Sequence, residues 1–161
     1  MQFQIGARVV HPVYGIGIVK SYSKQTIVGD KEYEYYEVAI GRGTVWVPID
    51  EQGAVALRGV APKRTLDECR KLLKSQPLPL EKNYHLRQLE IANRLKTKLL
   101  PELCEIVRDL RARHRQTPLG ATENNLLRKI SKAICDEWAA IDDVTPQTAI
   151  AEFESLLQES T

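Results

Sequence analysis

Residues 33–49 read YEYYEVAIGRGTVWVPI. Tyr33 to Ile40 is dense in aromatic and β-branched side chains, Gly41-Arg42-Gly43 is a turn, and Thr44-Val45-Trp46-Val47-Pro48-Ile49 alternates. Alternation with a period of two marks a half-buried strand. Val45, Val47 and Ile49 then share one face, and Trp46 takes the other. Pro48 has no N–H to give to a ladder, so its strand belongs at a sheet edge, or the missing donor faces outward.

The same pattern extends in both directions. Arg8-Val9-Val10-His11 is a short apolar run ending at Pro12, Tyr14-Gly15-Ile16-Gly17 is a turn signal, and Ile18-Val19 resumes the extended pattern. Thr26-Ile27-Val28 leads into a second turn at Gly29-Asp30, and Ala54-Val55-Ala56-Leu57-Arg58 reads as a last short strand. Short strands at regular spacing with turns between them predict a small, strongly bent β barrel or half-barrel over residues 1–60.

Beyond the proline-containing stretch at 60–64 the period changes to that of helices. Thr65-Leu66-Asp67-Glu68 has the form of a capping box, with Thr65 as N-cap of a helix ending near Ser75. A second helix is expected from about Lys82 to Lys98. Pro101 opens a third, where its missing N–H is harmless, with Leu103, Ile106, Val107 and Leu110 as its apolar stripe. Thr122 is the expected cap of a fourth, with Leu127, Ile130, Ile134 and Trp138 on one face. Thr145-Pro146 starts a fifth, with Ile150, Phe153 and Leu157. The fold class is therefore α+β: a β unit over 1–60, then about five helices over 61–161.

The chain has 161 residues, 43% apolar and 27% charged, which suits an ordered globular protein rather than a disordered one. No apolar run approaches the ~20 residues of a membrane helix, and the first residues lack the basic-then-apolar order of a signal peptide. A cytoplasmic protein is expected. Cys69, Cys104 and Cys135 are odd in number and widely spaced, which argues against disulfides or zinc and for buried, inert thiols.

The formal charge of +2 hides an uneven distribution. Residues 82–132 hold 12 basic and 5 acidic side chains, whereas residues 133–161 hold 7 acidic and no basic ones. A block of net +7 is a surface that attracts a polyanion, although solvated helix faces also carry such residues. The acidic end either packs on that block or turns away from it.

No catalytic constellation is present: GxSxG, HExxH and GxxxxGK[ST] are all absent. Gly15-Ile16-Gly17 lies between strands, so it reads as a hairpin turn and not as a dinucleotide fingerprint. His11, His85 and His114 have no ligand spacing. Asp142-Asp143 falls at a helix-to-helix turn, where capping explains it. Neither enzyme activity, cofactor nor metal is expected. A β module followed by basic helices reads as a protein that binds other molecules.

Several segments then align in order. Phe3-Gln4-Ile5-Gly6, Arg8 to Pro12 and Tyr14 to Val19 resemble the start of the CarD/CdnL family, and Tyr35-Tyr36, Val45 to Ile49 and Val55 to Arg58 continue the likeness. Glu105-Ile106-Val107-Arg108-Asp109-Leu110 resembles the family's EVVRDL helix, and Leu119 to Glu123 with Leu126-Leu127 its GLSAGE…L segment. The resemblance covers nearly the whole chain. It implies a bacterial transcription regulator without enzymatic activity. Its N-terminal Tudor-like barrel, shared with the transcription-repair coupling factor, would bind the RNA polymerase β subunit. Its helical domain would contact promoter DNA at the upstream edge of the bubble and stabilise the open complex.

The resemblance also nominates residues. On the polymerase side it points to the Thr44–Ile49 edge strand, with Thr44, Trp46 and Pro48, and to Lys24-Gln25. The family carries contact arginines at Trp46 and near Lys24-Gln25, so this chain departs from it at both places. An edge strand can pair with a partner's strand, and an exposed tryptophan is a strong anchor; packing beneath Tyr33–Tyr36 is the bland alternative for Trp46. On the DNA side, counting back from Val107-Arg108-Asp109-Leu110 puts Tyr84 at the family's wedge tryptophan. Arg87 and Arg113 fall where basic residues occur, and Leu89 falls where the family has a lysine. Tyr84 would stack at a splayed base step, or else cover the end of the helical core. Trp138 belongs to the core. Tyr84, Arg87 and Arg113 should share one accessible face, and DNA binding by the isolated protein should be weak and non-specific. A monomer is expected, since neither half shows a long uncovered apolar stripe. The alternative function is a polymerase-binding adaptor without the wedge.

Overall fold

The computed structural model describes residues 2–26, 29 and 31–160. Among them, five strands precede five helices, an α+β layout. The chain divides into two compact units, Met1–Val60 and Ala61–Thr161.

The first unit holds β1 (Arg8–His11), β2 (Gly15–Thr26), β3 (Glu32–Ile40), β4 (Gly43–Ile49) and β5 (Arg58–Gly59). They form one antiparallel sheet in the order β4-β3-β2-β1-β5. β4 is an edge strand, consistent with Pro48. Val9, Val19, Tyr36, Val38, Val47 and Leu57 form the buried core. The Tyr36 hydroxyl accepts from the backbone N–H groups of Gln2 (2.7 Å) and Phe3 (3.0 Å), which satisfies the polar end of a buried ring.

Three details of this unit differ from expectation. The β1–β2 turn lies at Pro12–Tyr14, so Gly15, Ile16 and Gly17 are strand residues opposite His11, Val10 and Val9. Gly15 leaves the turn at φ +82°, and a Cβ on Gly17 would sit 2.6 Å from Val38 Cγ1. The expected strand at Ala54–Arg58 shrinks to a bridge between Val55 and Ile49, followed by the two-residue β5. In β2, Val19 faces Val38 but Ser21 faces Glu37, so Lys20 is the extra residue of a β-bulge. Of the expected turn after Thr26, Ile27, Val28 and Asp30 lie outside the described residues.

The second unit holds α1 (Lys63–Lys74), α2 (Tyr84–Arg94), α3 (Leu100–Gln116), α4 (Ala121–Asp142) and α5 (Pro146–Gln158). Its core includes Leu66, Leu73, Ile106, Leu110, Ile134, Trp138 and Phe153. Trp138 is fully buried and meets Phe153 edge-on, with centroids 6.4 Å apart. All three cysteines are free and buried. Among the described residues, no helix is long and apolar enough to cross a membrane.

Helix ends account for most of the departures here. Thr65 does not cap α1: the helix begins one turn earlier behind Pro62, and the Thr65 N–H already bonds Pro62 O at 3.0 Å. Thr122 likewise lies inside α4, whose N-cap is Gly120. α2 is shorter than expected because Asn83 caps it through Leu86 N, and Lys98 beyond it takes a left-handed conformation at φ 52°. Thr145 does cap α5, accepting from Thr148 N. In α5, Ala149 rather than Ile150 lines the core, since the i, i+4, i+8 row runs Ala149, Phe153, Leu157 and leaves Ile150 exposed.

Candidate functional site

In the β unit, register decides what the sheet presents outward. Trp46 pairs with Glu37, and Glu37 with Ser21; Pro48 pairs with Tyr35, and Tyr35 with Ser23; Gln25 pairs with Tyr33. Side chains alternate across a strand, so Gln25, Thr44, Trp46 and Pro48 share the face opposite the Val47–Tyr36–Tyr22 row. Trp46 is 60% exposed, which sets aside packing beneath the tyrosines. Lys24 does not join this face. It lies in the Ile49–Glu34 row and pairs with Glu34 at 3.4 Å, a contact that holds its ammonium above the usual range. Adjacent strand residues point oppositely, so Lys24 and Gln25 cannot serve one surface. At the far end of β4, the Val55 bridge covers Ile49.

In the helical unit, Tyr84 is the first residue of α2 and is 44% exposed. Arg87 is not beside it at the surface. It is only 5% exposed, and its Nε and Nη2 donate to Glu123 Oε2 (2.9 Å) and Oε1 (2.8 Å). Its Nη1 donates to the carbonyls of Glu81 and Lys82, each at 2.9 Å. The Glu123 hydrogen bonds raise the Arg87 pKa further. The guanidinium carbon lies 5.7 Å from the Tyr84 ring centroid. Thus the expectation of Arg87 on the accessible face is corrected: a buried charge needs a partner, and Glu123 supplies it.

The Arg87–Glu123 pair fixes the start of α2 at the start of α4. Arg113 stands in the last turn of α3, which leads into α4 through Thr117–Gly120. It is half-buried and has no ion-pair partner among the described residues. The Arg108-Asp109 pair of the motif helix is buried as well. Arg108 Nε meets Asp109 Oδ1 at 3.0 Å, Arg94 meets Asp109 Oδ2 at 3.0 Å, and Asp109 Oδ1 also accepts from Leu78 N at 2.9 Å. These motif residues lock the proline spacer and α2 to α3; they are scaffold.

The acidic end divides its ion pairs: Asp142 and Glu152 meet Arg70 of α1, which also pairs with Asp67, while Glu154 meets Arg111 and Asp136 meets Lys132 of the basic block 82–132. Within residues 82–132, Lys82, Lys96, Arg113, Arg115, Arg128 and Lys129 remain without an ion-pair partner among the described residues. Leu86 and Leu89 are exposed on the outward side of α2, an uncovered apolar stretch that the sequence reading did not foresee. Glu123 was also missed, because nothing local marks a partner 36 residues away. Glu37 could have been found from cross-strand position once the register was known. Among the described residues, no group of three or more His, Cys, Asp or Glu side chains could hold a metal ion.

Residues 3–61 match the family model described as the CarD-like/TRCF RID domain, and residues 68–154 match that described as CarD, C-terminal domain. The chain is also similar to a Bacillus subtilis (strain 168) protein named "Putative transcription factor YdeB". The two are 25% identical over 149 residues, which cover 89% of this chain and 94% of that protein.

Proposed function

The chain belongs to the CarD family, and from that premise we propose that it is a transcription regulator of bacterial RNA polymerase, acting in the cytoplasm as a monomer and not as an enzyme. Residues 1–60 bind the polymerase β subunit through the outward face and edge of β4. Residues 61–161 contact promoter DNA at the upstream edge of the bubble and lengthen the life of the open complex. The observation that carries this reading is Tyr84, exposed at the start of α2 in a block, residues 82–132, that keeps six cations without an ion-pair partner among the described residues. Cations without carboxylate partners are available to phosphates, and such contacts position a protein without reading sequence. An aromatic ring among them can stack on an unpaired base.

The test is open-complex lifetime on one promoter with purified bacterial polymerase, comparing no factor, wild type and Tyr84→Ala. Wild type lengthens the lifetime, and Tyr84→Ala shortens it by about tenfold, the worth of a base–aromatic contact. A wild-type protein without effect sinks the reading.

One observation favours a second reading, an adaptor that acts through polymerase alone. Leu86 and Leu89 on the outward side of α2 cannot bind phosphate. Full activity of Arg113→Glu with Arg115→Glu would support it.

A further inference from the structure

The outward sheet face sets an aromatic plane beside a single carboxylate. Trp46 on β4 stands directly opposite Glu37 on β3, and directly opposite side chains in an antiparallel pair lie within contact distance. Ser21 on β2 completes the row, and its Oγ donates to Glu37 Oε2 at 2.7 Å. That bond fixes the carboxylate's orientation and leaves Oε1 without a partner among the described residues. The rows on either side are Thr44–Ala39–Ile18, which ends at Arg8 on β1, and Pro48–Tyr35–Ser23. Glu37 is the charged side chain directly opposite Trp46, so it sets the sign beside the ring.

An exposed indole next to an oriented carboxylate is a receptor for a guanidinium. The flat cation stacks on the ring face while its N–H groups donate to the free carboxylate oxygen. Arginine suits this better than lysine, because its plane stacks and its donors are set in a fork. An acidic partner surface would be repelled by Glu37, and a purely apolar one would strand that carboxylate out of water. Resting on the reading that this unit binds RNA polymerase, we propose that the polymerase surface it docks on presents an arginine that stacks on Trp46 and pairs with Glu37.

The test uses the full chain and purified RNA polymerase of the bacterium that makes it, with affinity measured over a range of salt. Trp46→Ala weakens binding about thirtyfold, as loss of a strong anchor does. Glu37→Gln, which keeps an oxygen for Ser21, weakens it about tenfold and flattens the salt dependence, as loss of a charge-assisted bond does. Glu37→Lys weakens it more. Thermal melts equal to wild type show that these surface variants are folded. Binding unchanged in both Glu37 variants overturns the proposal, and tighter binding by Glu37→Lys overturns it in favour of an acidic partner. Variants that keep polymerase affinity but lose self-association in sedimentation overturn it in favour of a contact between copies. Failure of the wild type to bind polymerase removes the underlying reading as well, which separates the two failures.

Discussion

Arg87 and Glu123, 36 residues apart, meet in a two-pronged ion pair at 2.8 and 2.9 Å with both side chains buried. The same guanidinium grips the two carbonyls just before α2. Tyr84 is therefore held from beneath.

Removing one member of this pair leaves the other charge buried and unpaired. Glu123→Gln should lower the stability of the helical unit by about 3–5 kcal/mol. The double change Arg87→Met with Glu123→Leu should recover most of that loss, because neither charge remains. Urea unfolding followed by helical circular dichroism measures both. Charge reversal at Arg87 would reduce activity through the fold, which makes it unsuitable as a probe of DNA contact.

Arg113 is the better probe. Its guanidinium has no ion-pair partner among the described residues, and a carboxylate in the last turn of α3 opposes the helix dipole, so Arg113→Glu should cost about 0.5–1 kcal/mol and leave the unit folded. If it touches a phosphate, the variant should bind DNA more weakly on every sequence, with a salt slope shallower by about one. Anisotropy titrations at several salt concentrations give that slope. A slope equal to wild type would take Arg113 out of the interface.

Gly17 faces a wall. A methyl group there would approach Val38 Cγ1 to 2.6 Å, Ile40 Cγ1 to 2.7 Å and the Ala39 carbonyl oxygen to 2.9 Å. Gly17→Ala should cost about 1–3 kcal/mol through overpacking, measured as a lowered midpoint for the β unit. By contrast, nothing lies within 4 Å of a Cβ built on Gly59, and its φ is not positive. Gly59→Ala should therefore change stability little.

Two of the buried thiols, those of Cys104 and Cys135, are held protonated. Burial pushes Cys135 up to about 12, while a hydrogen bond with Cys69, together with burial, raises Cys104. Native protein should resist thiol reagents at pH 8, and unfolded protein should react at all three cysteines. The sign of the pH effect follows. The folded state binds these protons more tightly than the unfolded chain, so stability falls as pH rises from 9.0, the ordinary thiol value, toward about 12. Denaturant midpoints across that window measure the decline.

What could be read from the sequence was periodic. The alternation of Thr44 to Ile49 placed Trp46 outside and Val47 inside, and the row Leu103, Ile106, Val107, Leu110 marked the buried stripe of α3. Caps were less legible, since Thr65-x-x-Glu68 fits the inside of a first turn as well as its start. Arg87 was misread because charge is visible in a sequence and burial of a charge is not. The acid that makes its burial tolerable lies on another helix.

Lys20 has a consequence for comparing this chain with its relatives. Because it is a supernumerary residue in β2, sequence number and sheet face fall out of step there by one. Deleting Lys20 would leave Ser21, Ser23 and Gln25 on the face they now occupy, whereas filling its place in a regular ladder would hand that face to Lys24. A gapless alignment with a relative that lacks the bulge therefore equates side chains that point in opposite directions. Whether a relative presents a glutamine or a cation on this face must be counted from its β3 partners, as Gln25 is here from Tyr33, and not from the chain's first residue.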